Sequence, residues 1–199
     1  MRKMCLRTLG IVALAGFCAT LLMAKEPEPT AKNTISLSKG EPIRPQAFAR
    51  PLKFFVDKSL DRSGNPRPML MQEKHGGVFL DREPALIVRE AIEDSLAAAG
   101  MRAADANSCD YIMDVYVFHF GLAEGLGTFG KVDIGGIVRD PKAGRSQNIT
   151  AMGTSLGKKG NDKQRIKATL EEALHDAVRN LLRGTQLQEA IAAFESAKP

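Results

Sequence analysis

The chain predicts an α+β domain, with a mainly antiparallel sheet, two long helices packed on one face of it and a short C-terminal helix. Three observations carry that prediction. Apolar residues recur with helical spacing over 85–99 and again over 163–183, and apolar alternation marks 111–120, 131–139 and 147–154. The order of these blocks, strands gathered between separated helices, favours helices collected on one side of the sheet. No internal period points to a repeat array.

Taken in order, the first 24 residues read as a secretory signal. Arg2, Lys3 and Arg7 precede an apolar run over 9–23, and Ala24 then meets a polar stretch over 25–29. Cleavage after Ala24 is the expected end of this segment, although Leu22 is larger than the A-x-A pattern prefers. Two other endings stay open. Lipidation at Cys18 would follow Leu14, Ala15 and Gly16, which suit it, and Phe17, which puts a bulky ring where a small residue is wanted. An uncleaved anchor would use an apolar run shorter than the ~20 residues that cross a hydrocarbon core. Residues 25–51 carry Pro27, Pro29, Pro42, Pro45 and Pro51 among Lys, Glu, Ser and Thr, which predicts an extended tether with little to bury. Residues 52–199 then form one α+β domain.

Within that domain a first strand is expected over 52–57, followed by a surface loop over 62–77 around a short Met69-Leu70-Met71 contact, and a brief strand over 78–80. Pro84 fits a first helical turn and Gly100 the left-handed position beyond the last one. Between them Ala85, Val88, Ile92, Leu96 and Ala99 form one stripe. Over 111–120 both alternating sets are apolar, so this strand is expected to be central and buried on both sides. A glycine-rich connection leads to a strand with one wet face over 131–139, a tight turn over 140–144 and a return strand over 147–154. The second helix carries Ile166, Leu170, Ala173, Leu174, Ala177, Val178 and Leu181 on one face. Gly184 stops it, and Thr185 with Gln188 predicts a capping box that opens a last helix turning Leu187, Ile191 and Phe194 inward.

Charge and cysteine usage narrow the function classes. The chain holds 28 Lys and Arg against 23 Asp and Glu. Loss of Arg2, Lys3 and Arg7 with the signal leaves 25 against 23, a net charge of +2, so a nucleic-acid footprint is not expected. Cys5 and Cys18 precede Ala24, which leaves Cys109 alone in the mature chain and permits no internal disulfide.

Motifs that could carry chemistry lack their required context. Residues 125–130 match G-x-G-x-x-G, but a strand is predicted next, where pyrophosphate binding needs a helix N-terminus. Lys131 makes the segment nearly a P-loop, yet Val132 stands where a magnesium-holding hydroxyl is needed. A hairpin connection is the simpler reading. His75, His119 and His175 are scattered over a loop, a strand and a helix without metal-ligand spacing. Asp57, Asp61 and Asp114 could meet across paired strands, but nothing adjoining supplies a nucleophile or anion hole. Ser146 and Ser155 lie in no G-x-S-x-G elbow, Cys109 has no local histidine, and Asn148-Ile149-Thr150 matches a sequon by chance on a strand. No catalytic, cofactor-binding or metal residues are therefore expected. Lys158, Lys159, Lys163, Arg165 and Lys167 form the one local basic cluster and are the candidates for contact with an anionic partner or lipid phosphates.

The layout resembles the YajG-like bacterial envelope lipoproteins. The features that carry the likeness are the strand end Phe55-Val56-Asp57-Lys58 with Arg62 beyond it, the helix closed by Gly100-Met101, the strand from Tyr111 to Val117, the hairpin strands, and the tail from Gly184 through Leu187 to Ile191. It covers most of 52–194. A more distant likeness is to auxiliary lipoproteins of envelope lipid transporters. The resemblance implies an exported, periplasm-facing protein associated with the outer membrane, without catalytic residues, whose partner is an envelope protein or lipid. Family members carry a lipobox cysteine, and this chain departs from them at Phe17-Cys18.

Overall fold

The structure, a computed structural model, describes residues 30, 32–64, 69–73, 76–124, 128–157 and 163–197. Residues 1–24, read above as a signal, and with them Cys18 lie outside the described residues, as do Lys158 and Lys159. The elements are β1 (Thr34–Ile35), β2 (Phe54–Asp61), β3 (Met69–Glu73), β4 (Gly76–Leu80), α1 (Pro84–Ala98), β5 (Tyr111–Glu124), β6 (Thr128–Asp140), β7 (Arg145–Leu156), α2 (Lys163–Arg183) and α3 (Thr185–Ser196). The class is α+β. A four-stranded sheet runs β2-β5-β6-β7, and a small sheet runs β1-β4-β3. β5, β6 and β7 form the expected antiparallel meander, whereas β2 pairs parallel with β5 because the chain returns through α1. Part of the loop expected over 62–77 is strand β3, paired antiparallel with β4.

The helices share one face of the large sheet. α1 lies on β2 and β5, and α2 on β6 and β7. In place of two long helices and a separate short one, a 15-residue α1 faces a C-terminal helical segment bent at Gly184 into 21 and 12 residues. The backbone there is too tight for a side chain: a Cβ on Gly184 would lie 2.3 Å from the Asn180 carbonyl oxygen. Gly184 is itself the N-cap of α3, with no side-chain cap bond, so the capping box expected from Thr185 and Gln188 does not form; Thr185 already lies in the helix. The seven apolar residues read on α2 are all buried, and Leu187, Ile191 and Phe194 point inward from α3.

The segment expected to be a tether is built into the core over its described part. Ile35, Leu37 and Ile43 are buried in the same cluster as the helices and sheet. Polar contacts pin it along both α1 and α2: Ser38 N donates to Glu171 Oε1 (2.6 Å), Lys39 pairs with Asp94 (2.8 Å), Ile43 N donates to Ser95 Oγ (3.0 Å) and Gln46 N to the Leu182 carbonyl (3.4 Å). Residues 33–48 thus form a strap across the helices. α1 buries a second stripe, Ile87, Ala91 and Ser95, beside the one legible in its sequence, with Ser95 accepting from Ile43 N of the strap, while Ala99 is exposed. Just beyond it Arg50 ties Asp110 (3.1 Å), the residue before β5, to Glu195 (2.9 Å) of α3.

Candidate binding face

Alternation along the strands sends one set of side chains under the helices and leaves the other set bare. Met113, Val115, Val117, Val132, Ile134 and Val138 are buried on the helix side. On the opposite side Phe118 and Met152 remain 51% and 53% exposed. β5 is central, as its pattern predicts, but it is not buried on both faces. A register shift between Val117 and His119 also turns Phe120 to the helix side, where it pairs with Val132 and is buried. Among the described residues no helix covers the second face, and Phe118 is left half-exposed there.

The bare face holds a shallow depression of about 530 Å³ whose lining includes Arg62, Tyr116, Phe118, Gly135, Asn148 and Thr150. The Phe118 ring lies on Gly135 so closely that a Cβ there would sit 2.4 Å from its Cε2. The Arg62 guanidinium stands 5.4 Å from the centroid of the Tyr116 ring, a cation–π distance. Toward one end Arg139 donates through Nη2 to both Asp57 Oδ2 (3.0 Å) and Asp114 Oδ1 (2.9 Å). Toward the other, Lys131 pairs with Asp133 at 2.8 Å.

Part of each edge of the sheet is occupied, by helix side chains on β7 and by α1 and the segment after it on β2. On β7, Thr150 N donates to Gln186 Oε1 (2.6 Å), Thr154 N to Asp176 Oδ2 (3.2 Å), and the Met152 carbonyl accepts from Asn180 Nδ2 (2.8 Å). On β2 the Val56 carbonyl accepts from Arg89 (3.2 Å), and Phe54 bonds to Met101 and Ala103 through its backbone. These groups are withdrawn from pairing with an incoming strand.

Several residues singled out in the sequence are placed by these contacts. Asp57 and Asp114 do converge, on Arg139, so their carboxylates are held by a guanidinium; Asp61 stands apart and accepts from Ser63 N at 2.8 Å. Among the described residues no group of three or more His, Cys, Asp or Glu could hold a metal ion. His119 is on β5, His175 on α2 beside Gly40 of the strap, and His75 lies outside the described residues. Of the G-x-G-x-x-G run, residues 125–127 lie outside the description, while Gly130 is in β6 under α2, where a Cβ would meet the Thr169 carbonyl oxygen at 2.8 Å. That glycine serves close helix–strand packing. Ser155 donates to Glu172 Oε2 (2.6 Å), and burial pushes the Cys109 thiol above its ordinary range. Of the basic cluster, Lys163, Arg165 and Lys167 occupy the first turns of α2, and Lys167 pairs with Glu171 at 3.7 Å. The residues of the bare face were missed because two apolar alternating sets read as two covered faces.

Burial, reinforced by Lys131, holds His119 below its ordinary 6.5, against the opposing pull of Asp133; its buried Nε2 has no hydrogen-bond partner among the described residues. A depressed imidazole stabilises the fold fully above the unfolded-state value and loses that contribution as pH falls below it. Stability is therefore expected to decline from pH 7 to pH 5, and His119→Asn to flatten that decline. Urea unfolding across this range checks it; parallel curves for the two proteins would refute the assignment.

No family model matches the chain, and no curated relative is found. Among solved structures it is similar to a Xanthomonas campestris protein of family DUF330, at 16% identity and a TM-score of 0.58, covering 83% of this chain and 99% of that one. PelC from Paraburkholderia phytofirmans, solved as a dodecamer, matches at 14% identity and a TM-score of 0.44 over 70% of this chain and 96% of that one. A lipoprotein from Neisseria meningitidis matches at 15% identity and a TM-score of 0.29 over 58% and 90%. The first of these likenesses shows that this chain and the Xanthomonas campestris protein share a fold.

Proposed function

We propose that the chain is an exported, non-enzymatic binding protein of the bacterial envelope, of YajG-like type, that engages its partner through the bare face of the β2-β5-β6-β7 sheet. The observation that carries this reading is the half-exposed Phe118 and Met152 on a sheet whose other face packs against the helices and whose edge strands are partly occupied. The signal pattern of residues 1–24 supplies the address. The polar groups that a catalytic reading would use are engaged structurally: Asp57 and Asp114 with Arg139, and Ser155 with Glu172.

A second reading, contact of an accessory transport component with anionic lipid, draws on the first turn of α2, which carries Lys163 and Arg165 and no acidic residue, against the preference of the helix dipole. One experiment separates the two. A photo-crosslinking residue is placed in the full chain at Phe118, at Arg165 or at the exposed Glu189 of α3, and the chain is produced with its own N-terminus in a Gram-negative host. Adducts confined to the Phe118 position, in an envelope fraction whose intact mass begins at Lys25 or at a diacylated Cys18, are the expected result. Adducts to lipid confined to the Arg165 position would favour the second reading, and a cytosolic protein beginning at Met1 would overturn both.

A further inference from the structure

The bare face carries unmet charge of both signs. Arg139 is shared by Asp57 and Asp114, so that group holds one more negative charge than positive, and the Asp57 side chain is 38% exposed. Arg62, further along β2, has no carboxylate partner among the described residues; its guanidinium is met there by the Tyr116 ring. Strand pairing sets these groups at successive levels of the sheet. Ile112 lies beside Arg139, and Asp114 beside Ile137 and Asn148, with Asp57 next to it. Tyr116 lies beside Gly135 and Thr150, with Leu60 next to it, and Asp133 beside Met152. Across the same levels Leu60, Phe118 and Met152 are exposed, one on each of β2, β5 and β7.

From this we infer that the bare face is covered by a second copy of the chain, sheet on sheet, an inference that rests on the binding-face reading above and names its partner. A two-fold axis in the plane of the contact, perpendicular to the strands and between the levels of Asp114 and Tyr116, exchanges those two levels between the copies. Arg62 of each copy then comes opposite Asp57 of the other. One level further out, Arg139 comes opposite Asp133, and Ile112 faces toward Phe118. Asn148 comes opposite Thr150, whose hydroxyl donates to Gln186 and still accepts from an amide. A partner of one charge sign would satisfy Arg62 or the Asp57 group but not both, whereas a face with one of each is its own complement after a two-fold rotation. The size agrees as well. Four strands at ordinary spacing and about ten residues of strand length give a footprint of roughly 650 Å² per copy, near the ~800 Å² per partner of a stable interface. Sheets packed in this way lie ~10 Å apart, with their strands within about 30° of each other.

The test is sedimentation equilibrium of the full chain, produced with its own N-terminus in a Gram-negative host, over a range of concentrations. A concentration-dependent dimer is the expected result. Arg62→Glu and Asp57→Lys should each raise its Kd about tenfold or more, because each change sets like charges together at two symmetric places. Mixed in equal amounts, the two variants should pair with close to wild-type affinity, since every reversed charge then faces an opposite one on the other copy. Phe118→Asp should give monomer. Thermal unfolding of each variant separates loss of the contact from loss of the fold, and if Asp57→Lys fails to fold, Arg62→Glu and Phe118→Asp still decide. The inference is overturned if the chain is monomeric at every concentration, if Arg62→Glu and Phe118→Asp leave the dimer unmoved, or if folded variants that are monomeric apart do not pair when mixed. In the crosslinking experiment an adduct at position 118 of twice the chain mass is expected. An adduct there to a different protein, with the purified chain monomeric, would overturn the second copy while leaving the binding face standing.

Discussion

Gly153→Ala is expected to destabilise the protein by about 3 kcal/mol, the upper end for overpacking a well-filled site. A Cβ at this position in β7 would lie 2.0 Å from the Ala173 carbonyl oxygen and 2.2 Å from the Ala177 nitrogen. Both are backbone atoms of α2, so no side-chain rotation relieves the clash and the helix itself must move away. That movement would stretch the bonds by which Asp176 and Asn180 cap the edge of β7 and would loosen Leu170, Leu174 and Val178 from the sheet. For a domain of this size the expected fall in Tm is roughly 6–12 °C. Gly135→Ala is the matched control. Its Cβ would meet only the tip of the Phe118 ring, which can swing aside, so stability should change by about 1 kcal/mol or less while the bare face loses its platform. Thermal or urea unfolding of the two variants checks the contrast, and a wild-type Tm for Gly153→Ala would show that α2 is seated differently.

Leu37→Ala should cost about 2–4 kcal/mol in urea unfolding, the usual penalty for truncating a buried leucine. Leu37 is only 3% exposed and belongs to the main core cluster, although its sequence neighbourhood is that of a linker. A solvated tether would show almost no change on the same substitution. The outcome therefore decides whether residues 33–48 belong to the folding unit. It also bears on the anchor: with the strap bonded to Glu171 and Ser95, residues 33–48 lend no reach to any membrane attachment.

The elements whose period is carried by large aliphatic side chains were legible in the sequence. α2 repeats its apolar stripe over several turns with polar residues between, and the hairpin β6–β7 is marked by a polar turn from Asp140 to Gly144. The strap was not legible, because its few apolar residues, Ile35, Leu37 and Ile43, are spaced irregularly among prolines and charges. Their burial depends on a groove between α1 and α2 that exists only after the helices have docked. Ser95 shows the same dependence: on α1 it reads as a polar break in the stripe, and it is buried because it accepts from Ile43 N and donates to the Ala91 carbonyl.

The candidate site divides in the same way. Phe118 and Tyr116 could be placed on one set of β5 positions from alternation alone, but apolar identity cannot tell a covered face from a bare one, since a binding surface and a core use the same residues. Local periodicity, set by backbone geometry, determined the strands, the helices and the α+β class, and the charged, apolar and small residues of the N-terminus determined the expected address. Only the tertiary structure decided that all three helices lie on one side, that Asp57 and Asp114 meet on Arg139, and that Phe118 is left at the surface on Gly135. The reason is physical: which elements come together depends on burying the largest apolar area with the fewest unmet polar groups, a condition on the whole chain that no local window contains.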